Sequence, residues 1–391
     1  MATMIEIKPP ATSIGVLGWL RKNLFSSVPN SLLTIIALWL IYNSAVGLWG
    51  FVTTARWEVV AVNLRLFMIG RYTLDQVWRV QVSLAIFSFL LGASWRAWGG
   101  IMQQIGVAIL VLFVLLVLLP FENSSRLVLA ANAALIGLGF LTARLVRSRR
   151  WLIALWVLSP FAMALLLYGG VWGLPIVATD LWGGLLLTLV FAISGIILSF
   201  PLGVLLALGR QSSYPVIKAS SILYIEIVRG VPLITVLFTA GILLPIFMPE
   251  GMTVERVVRE IVGFTAFTAA YLAEVVRGGL QSVGRGQNEA AKALGLNTVQ
   301  ILWFIILPQA LRNVIPAIVG QFISLFKDTS LVAIIGLLEL AGIANSVISQ
   351  QEFLGRQNEV LVFIAAIYLV CCYAMTYASR RLEKRLGVGE R

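Results

Sequence analysis

Two short segments of the chain carry an acidic and a basic side chain three residues apart, Glu226 with Arg229 and Glu274 with Arg277. Each pair lies in a long apolar stretch, and residues three apart share one helical face, where they can form an ion pair. An ionisable side chain at bilayer depth costs about 2.5–3.5 kcal/mol, so it is expected to face a partner or an aqueous cavity. These pairs are therefore candidates for chemistry with a charged solute.

The candidates for a solute path are the polar groups that the apolar pattern places deepest. Counted inward from Lys218 and Arg285, Arg229 and Glu274 each lie 11 residues inside, which is roughly 16 Å and close to the middle of a bilayer. Two interpretations remain open: the charges neutralise one another and help helices dock, or they line a path for a zwitterionic solute. The full set of candidates is Arg229, Glu274, Arg277, Asp328 and Thr329.

Composition excludes several other kinds of chemistry. The chain has no histidine, so histidine bases and histidine-ligated metals are ruled out. Its two cysteines, Cys371 and Cys372, are adjacent and offer neither zinc spacing nor a disulfide framework. The segment 279–285 has the glycine spacing of a phosphate-binding loop but lacks the Lys and Ser/Thr that such a loop needs. We therefore expect no metal site and no ATP chemistry on this chain.

The apolar content predicts an all-α polytopic membrane protein. Hydrophobic residues make up 60% of the 391 residues and charged residues only 12%, about half the charged share of a soluble domain. The net charge of +12 then reflects cytoplasmic loops that follow the positive-inside rule, and nucleic-acid binding is not expected. The predicted spans are 31–52, 80–98, 101–120, 127–143, 151–168, 184–209, 219–248, 260–281, 309–328 and 360–379.

Basic residues set the predicted orientation. An even number of spans with both termini in the cytoplasm puts three basic clusters on the cytoplasmic side: the connection between spans four and five, the loop after span eight, and the tail. Residues 1–30 lack the pattern of a cleavable signal and are expected to be a cytoplasmic segment. The basic residues concerned are Arg144, Arg147, Arg149, Arg150, Arg285, Lys292, Arg380, Arg381, Lys384, Arg385 and Arg391.

Two segments fit this scheme poorly. Residues 53–79 would be external, yet they carry four arginines, so either the rule is weakly obeyed there or the second helix is misplaced. Residues 329–350 are apolar, but an extra span would put the basic tail outside. We therefore predict that 329–350 is a broken or partly re-entrant continuation of the ninth helix, which is acceptable where protein or a water-filled cavity surrounds it.

A polar segment rich in small residues, 284–298, separates spans eight and nine. It predicts a short amphipathic helix that ends at Gly295, with a low apolar surface formed by Ala290, Ala291, Ala293 and Leu294. Such a surface suits the groove of a cytosolic partner, or it lies on lipid headgroups.

The same segment resembles the EAA loop of ABC-importer permeases, whose pattern is E-A-A-x3-G-x9-I-x-L-P. Every position matches: Glu289, Ala290, Ala291, Gly295, Ile305, Leu307 and Pro308. The strings EIVRGVPL, AAYLAEVVRGGLQSV, LPQALRNVIPAI and FKDTSLVAIIG resemble the polar amino-acid uptake branch, and NLRLFMIGRY with VWRV resembles the longer permease of general L-amino-acid importers. The chain departs from the pattern at 284–286, where the family often has a Pro-Lys-Gly turn, and at Val231, where it usually has a small polar residue.

The resemblance implies a type I ABC-importer transmembrane domain with a MetI-like five-helix core over 176–380. About five accessory helices over 31–175 precede the core, and the basic tail 381–391 follows it. The coupling residues toward an ATPase would be Glu289, Ala290, Ala291 and Gly295. The expected partners are a homologous permease in a heterodimer, two ATP-binding subunits, a periplasmic amino-acid-binding protein, and the lipid of a bacterial inner membrane. ATP and Mg would be bound by the ATPase and no cofactor by this chain, which is not an enzyme itself.

An ion-coupled secondary transporter that works alone is the alternative, because buried acids can be proton or sodium sites. It does not account for the loop of small residues, and copurification with an ATPase distinguishes the two.

Overall fold

The computed structural model describes residues 15–118, 123–144 and 149–387. Within these ranges the regular structure is helical, and the only β contacts are two isolated bridges, Gly70 with Trp182 and Gly184 with Glu339. Of the basic residues used above to predict orientation, Arg147 and Arg391 lie outside the described residues. So do residues 1–14 of the predicted N-terminal segment.

The first compact unit ends at Glu58 and contains two helices, α1 (Gly15–Asn23) and α2 (Val28–Thr54). The Ser27 side chain caps α2 by accepting a hydrogen bond from the backbone N–H of Asn30. With 27 residues, α2 is about 40 Å long. It is apolar on all sides and buries no residue within its unit, as expected of a membrane span. The predicted first span is confirmed.

The remaining helices follow in chain order through the second unit. They are α3 (Glu58–Val62), α4 (Leu64–Ile69), α5 (Val77–Trp98), α6 (Gly100–Leu118), α7 (Asn123–Thr142), α8 (Arg149–Tyr168), α9 (Gly184–Arg210), α10 (Pro215–Gly230), α11 (Leu233–Phe238), α12 (Arg256–Ser282), α13 (Arg285–Ala293), α14 (Thr298–Ile301), α15 (Leu307–Asp328), α16 (Leu340–Ile348) and α17 (Gln357–Leu386).

Nine of the described helices are long and apolar enough to cross a bilayer, and a bent pair makes a tenth. Five of these spans precede residue 175 and five follow it, as the sequence predicted. The predicted span 219–248 is not one continuous helix, because α10 and the segment Leu233–Phe247 meet at an angle of 105°. The break falls at Val231-Pro232, where proline lacks the N–H that would continue the helix.

A misplaced helix start accounts for one of the four arginines in 53–79, since Arg56, Arg65 and Arg71 still precede α5. A 3₁₀ turn at Leu74–Gln76 leads into α5 at Val77, three residues before the predicted start at 80. Arg79 thus lies inside α5, fully buried, and donates hydrogen bonds to the backbone carbonyls of Pro175 (2.9 Å) and Leu166 (3.5 Å). Arg79 therefore has a structural role, and its charge gives no information about the orientation of the chain in the membrane.

The broken continuation predicted for 329–350 is confirmed. A 3₁₀ turn at Thr329–Ala333 follows α15, and α16 has only nine residues, about 13 Å, which is too short to cross a bilayer. The buried Glu339 carboxylate caps α16 by accepting from the N–H groups of Ala341 and Gly342. It also accepts from Thr188 of α9 (3.2 Å) and Tyr368 of α17 (3.0 Å), so it fastens α16 to both spans.

Small residues let the spans approach closely at two crossings. In the second half, Gly203 of α9 faces Leu272 of α12, where an added Cβ would lie 2.7 Å from the Leu272 Cβ. In the first half, Gly92 of α5 and Gly139 of α7 each face a backbone carbonyl of the other helix. Close packing of this kind is a main source of helix association in membranes.

Gly137 and Gly139 of α7 provide a matched test of this packing. A methyl group at Gly139 would collide with the Phe89 carbonyl, whereas one at Gly137 meets no atom within 4 Å. We expect Gly139→Ala to destabilise the protein by about 1–3 kcal/mol through overpacking, and Gly137→Ala to be neutral or slightly stabilising. Thermal unfolding in detergent measures both. Equal melting temperatures for the two variants would contradict the close crossing.

Candidate functional site

The charged residues near the end of α9 form one connected cluster that joins three helices. Arg210, the last residue of α9, donates to Glu226 of α10 (2.9 Å) and to Glu274 of α12 (2.8 Å). Because Arg210 bridges residues that are 16 and 64 positions away along the chain, it couples three separate core helices.

Glu274 is the centre of this cluster. Besides Arg210, its carboxylate pairs with Arg277 (2.9 Å) and lies 3.6 Å from Arg229. The Arg229 guanidinium also packs over the ring of Tyr271, 5.3 Å from its centroid. The Glu274 side chain is only 16% exposed, so three guanidinium groups share one nearly buried carboxylate.

Sequence reasoning predicted only part of this arrangement. The Glu274–Arg277 pair is confirmed, whereas the predicted Glu226–Arg229 pair is wrong, because Glu226 pairs with Arg210 and Arg229 with Glu274. Arg210 was missed. Its only signal in the sequence is its place as the first charge after a long apolar run, and that pattern is equally typical of a membrane-boundary residue.

The cluster contains two carboxylates and three guanidinium groups, a formal charge of +1. Two of its members remain accessible: the side chains of Arg229 and Glu226 are 36% and 56% exposed. An accessible cation and an accessible anion on one connected network are what a zwitterionic solute requires, and they also suit an ionic contact between helices. The geometry is therefore compatible with both interpretations of these charges.

The cluster lies toward the end of the core that carries the loop 284–298. Glu274 is eight residues from the last residue of α12, Ser282, but 18 residues from its first, Arg256. The expectation that Arg229 and Glu274 lie near the middle of the bilayer stays a prediction.

Asp328 and Thr329 do not belong to this cluster. Where α12 packs on α15, Gly279 lies against Ala310, which is 18 residues, or about 27 Å, from Asp328. Glu274 is only five residues from Gly279. Thr329 is fully buried and donates its hydroxyl hydrogen to the Phe326 carbonyl. The five predicted path residues therefore do not form one site: the structure groups three of them and places the other two at another level.

The loop 284–298 forms the predicted helix with the predicted end. Helix α13 stops at Ala293, and Gly295 adopts a left-handed conformation with φ of +76°. The N–H groups of Gly295 and Leu296 return to the carbonyls of Lys292 and Ala291, which satisfies the last turn of the helix. A capping box between Asn297 and Gln300 then starts α14.

The predicted docking surface of α13 needs one correction. Ala291 is 1% exposed and faces the chain itself, so it cannot contribute to an outward surface. Residues before α15, in α14 and the π turn Leu302–Ile306, pack against α13. Ala290 and Leu294 are exposed, Leu294 by 79%. The outward surface is thus built on Ala290 and Leu294.

Comparison with known proteins places this arrangement in a family. The family model described as "Binding-protein-dependent transport system inner membrane component" matches residues 127–388. The chain is 38% identical over 388 residues to the "Inner membrane amino-acid ABC transporter permease protein YhdY" of Escherichia coli (strain K12), covering 95% of this chain and 93% of the relative.

Two further relatives differ in length. The "Glutamate/glutamine/aspartate/asparagine transport system permease protein BztC" of Rhodobacter capsulatus is 38% identical over 431 positions, with 98% of this chain and 96% of the relative covered. The "Probable glutamine ABC transporter permease protein GlnP" of Bacillus subtilis (strain 168) is 38% identical over 205 residues, 52% of this chain and 93% of its own length. Since the family model covers more than half of the chain and two relatives align along almost all of it, the chain belongs to the binding-protein-dependent transport system inner membrane components, the multi-pass permeases of ABC importers.

Proposed function

We propose that this permease moves a polar L-amino acid across the inner membrane, after a periplasmic binding protein has delivered it and while a partner ATPase hydrolyses ATP. The observation that carries the proposal is the helix α13 with its left-handed Gly295, which presents Ala290 and Leu294 outward at the end of the core. The names of the relatives support an amino acid as the solute, since each of those aligned above is described as an amino-acid or glutamine permease or as a permease for glutamate and related amino acids.

The orientation follows from two basic surfaces at one end of the molecule. Arg312, near the start of α15, donates to the Leu386 carbonyl at the end of α17, so the loop 284–298 and the basic tail lie at the same end. Positively charged ends of this kind are typical of the cytoplasmic side. We infer that both termini are cytoplasmic, and that Glu289, Ala290, Leu294 and Gly295 meet the ATPase there.

The assembly that fits this chain is a heterodimer with a homologous permease on two ATP-binding subunits. The 176–380 core would rock between inward-facing and outward-facing states when the ATPases close, as alternating access requires. The shorter glutamine permease aligns over almost its whole length with about half of this chain, which supports a core that is separate from an accessory part. ATP and Mg would be bound by the ATPase subunits.

Reconstitution tests the proposal against the ion-coupled alternative. Proteoliposomes that contain the chain with its permease partner, ATPase and binding protein should take up a radiolabelled polar amino acid only with ATP inside. Liposomes with the chain alone and a proton or sodium gradient are the control, and they should show no uptake. Gradient-driven uptake without the ATPase would overturn the proposal and support a secondary transporter.

A further inference from the structure

A cavity of about 210 Å³ lies between α6 and α17, at the same end of the molecule as the loop 284–298. The first turns of α6 line one wall and the last turns of α17 line the other. The lining residues are Gly100, Ile101, Gln104, Arg381, Lys384 and Arg385. The cavity joins an accessory helix to a core helix and is separate from the Glu274 cluster.

The wall made by α17 carries three cations. In the described part of the chain, the ion pairs within 4.0 Å involve other residues, so none of these three cations has a carboxylate partner there. The guanidinium of Arg385 lies against Gly100, whose φ is +50° and whose missing side chain leaves the space that the guanidinium fills. The cavity is thus shaped around a cation that has no carboxylate partner among the described residues.

The remaining polar groups also offer donors to the cavity. The Tyr377 hydroxyl donates to Gln104 Oε1 (3.0 Å) and accepts from Arg381 (3.1 Å), whose guanidinium packs over the Tyr377 ring. The Gln104 side-chain oxygen accepts the hydrogen bond from Tyr377, and the NH₂ group of the same amide is left to donate to a ligand. The first turn of α6 adds the positive end of a helix dipole. A group rich in acceptors and negatively charged is the complement of this lining.

Exposed apolar side chains continue from the cavity along both helices. On α6, Val107, Val111 and Leu115 follow Gln104 at intervals of three and four residues, and they are 39%, 49% and 56% exposed. On α17, Tyr373 and Val370 follow Tyr377 at the same intervals, exposed by 69% and 63%. A ligand with a charged head and long apolar chains would contact both the basic cavity and the apolar side chains. Free phosphate would contact only the cavity.

We propose that this pocket binds the phosphate of an anionic phospholipid, with the acyl chains lying along α6 and α17. Basic pockets between spans on the cytoplasmic side are the expected sites for such headgroups. The lipid would tie the accessory helices to the core at the end where the ATPase is expected. The proposal depends on the protein being in a membrane and is independent of which solute is carried.

Native mass spectrometry of the detergent-purified transporter complex, titrated with dioleoyl phosphatidylglycerol, tests this site. Lys384→Gln with Arg385→Gln should weaken phosphatidylglycerol retention roughly 30-fold, since each cation near a membrane surface contributes about a factor of five. Lys218→Gln with Arg380→Gln removes the same charge from exposed positions that do not line the cavity, and it should leave retention unchanged.

A second variant tests the same site independently in case the double variant folds poorly. Gln104→Glu preserves the acceptor for Tyr377 but places a carboxylate among the three cations, so it should also weaken retention, by about fivefold. Equal retention by the wild type, the double variant and Gln104→Glu would overturn the site. Equal binding of phosphatidylcholine, or displacement of the lipid by millimolar inorganic phosphate, would overturn its assignment to an anionic phospholipid.

Discussion

Leu294→Glu is expected to abolish transport-coupled ATP hydrolysis and to release the ATPase, while the permease stays folded in the membrane. Leu294 is 79% exposed beside the left-handed turn at Gly295. Burial of a leucine side chain in a partner's groove contributes about 1.5–3 kcal/mol, and an unpaired carboxylate in its place adds a desolvation cost. Together these effects correspond to a loss of at least 100-fold in ATPase affinity. Copurification and substrate-stimulated ATPase activity in proteoliposomes measure the loss.

The control is the same substitution at the other end of the molecule. Leu354→Glu changes a leucine that is 69% exposed and precedes the first turn of α17, so ATPase retention should be normal. Leu294→Trp separates the two interpretations of α13, because a groove would exclude the larger ring whereas an interfacial helix would tolerate it or bind lipid better. Normal coupled ATPase activity in both Leu294 variants would contradict the docking surface.

The buried position of Ala291 changes which substitutions can be interpreted. A tryptophan at Ala291 would overpack the inside of the loop itself, so loss of coupling in that variant would not report on the groove. Gly295→Ala acts differently, since a side chain is disfavoured at φ of +76° and the turn would shift with little change in surface chemistry. Comparing Leu294→Glu with Gly295→Ala therefore distinguishes the docking surface from the turn that orients it.

Hydropathy predicted the spans well because a membrane helix satisfies its own backbone, so the pattern is local. The bend between α10 and α11 was missed, although its cause, Pro232, is local. The direction in which Ala291 faces has no local signal, because it depends on how the π turn Leu302–Ile306 brings the chain back against α13. An amphipathic pattern predicts which side of a helix is apolar. It does not predict which element packs on that side, because this is decided by the tertiary fold.

The charge cluster shows the same limit of prediction from local sequence patterns. Spacing along one helix predicted the Glu274–Arg277 pair, since residues three apart always share a face. It could not predict that Arg210 would lie between Glu226 and Glu274, because that depends on the axial register of three packed helices. For the same reason, Asp328 appeared equivalent to Glu274 in sequence although the antiparallel packing of α12 and α15 separates them.

Glu274→Gln is expected to reduce amino-acid uptake at least tenfold while expression in the membrane falls much less. The substitution leaves three guanidinium groups around a neutral amide, and loss of one partner from a largely buried ion pair is costly because the opposite charge stays uncompensated. Glu352→Gln is the matched control. Glu352 is exposed and lies outside the cluster, so loss of its charge should change uptake less than twofold.

The path and packing interpretations of Glu274 then predict different results. If the cluster only joins helices, Glu274→Gln lowers the melting temperature, uptake per folded molecule is unchanged, and adding Arg277→Gln restores stability by removing the uncompensated charge. If the cluster lines the solute path, uptake per folded molecule falls, competition among amino acids of different side-chain charge changes, and Arg277→Gln does not rescue transport. Uptake that follows the amount of folded protein would assign Glu274 to packing, and the solute path would then have to lie elsewhere in the core or in the partner permease.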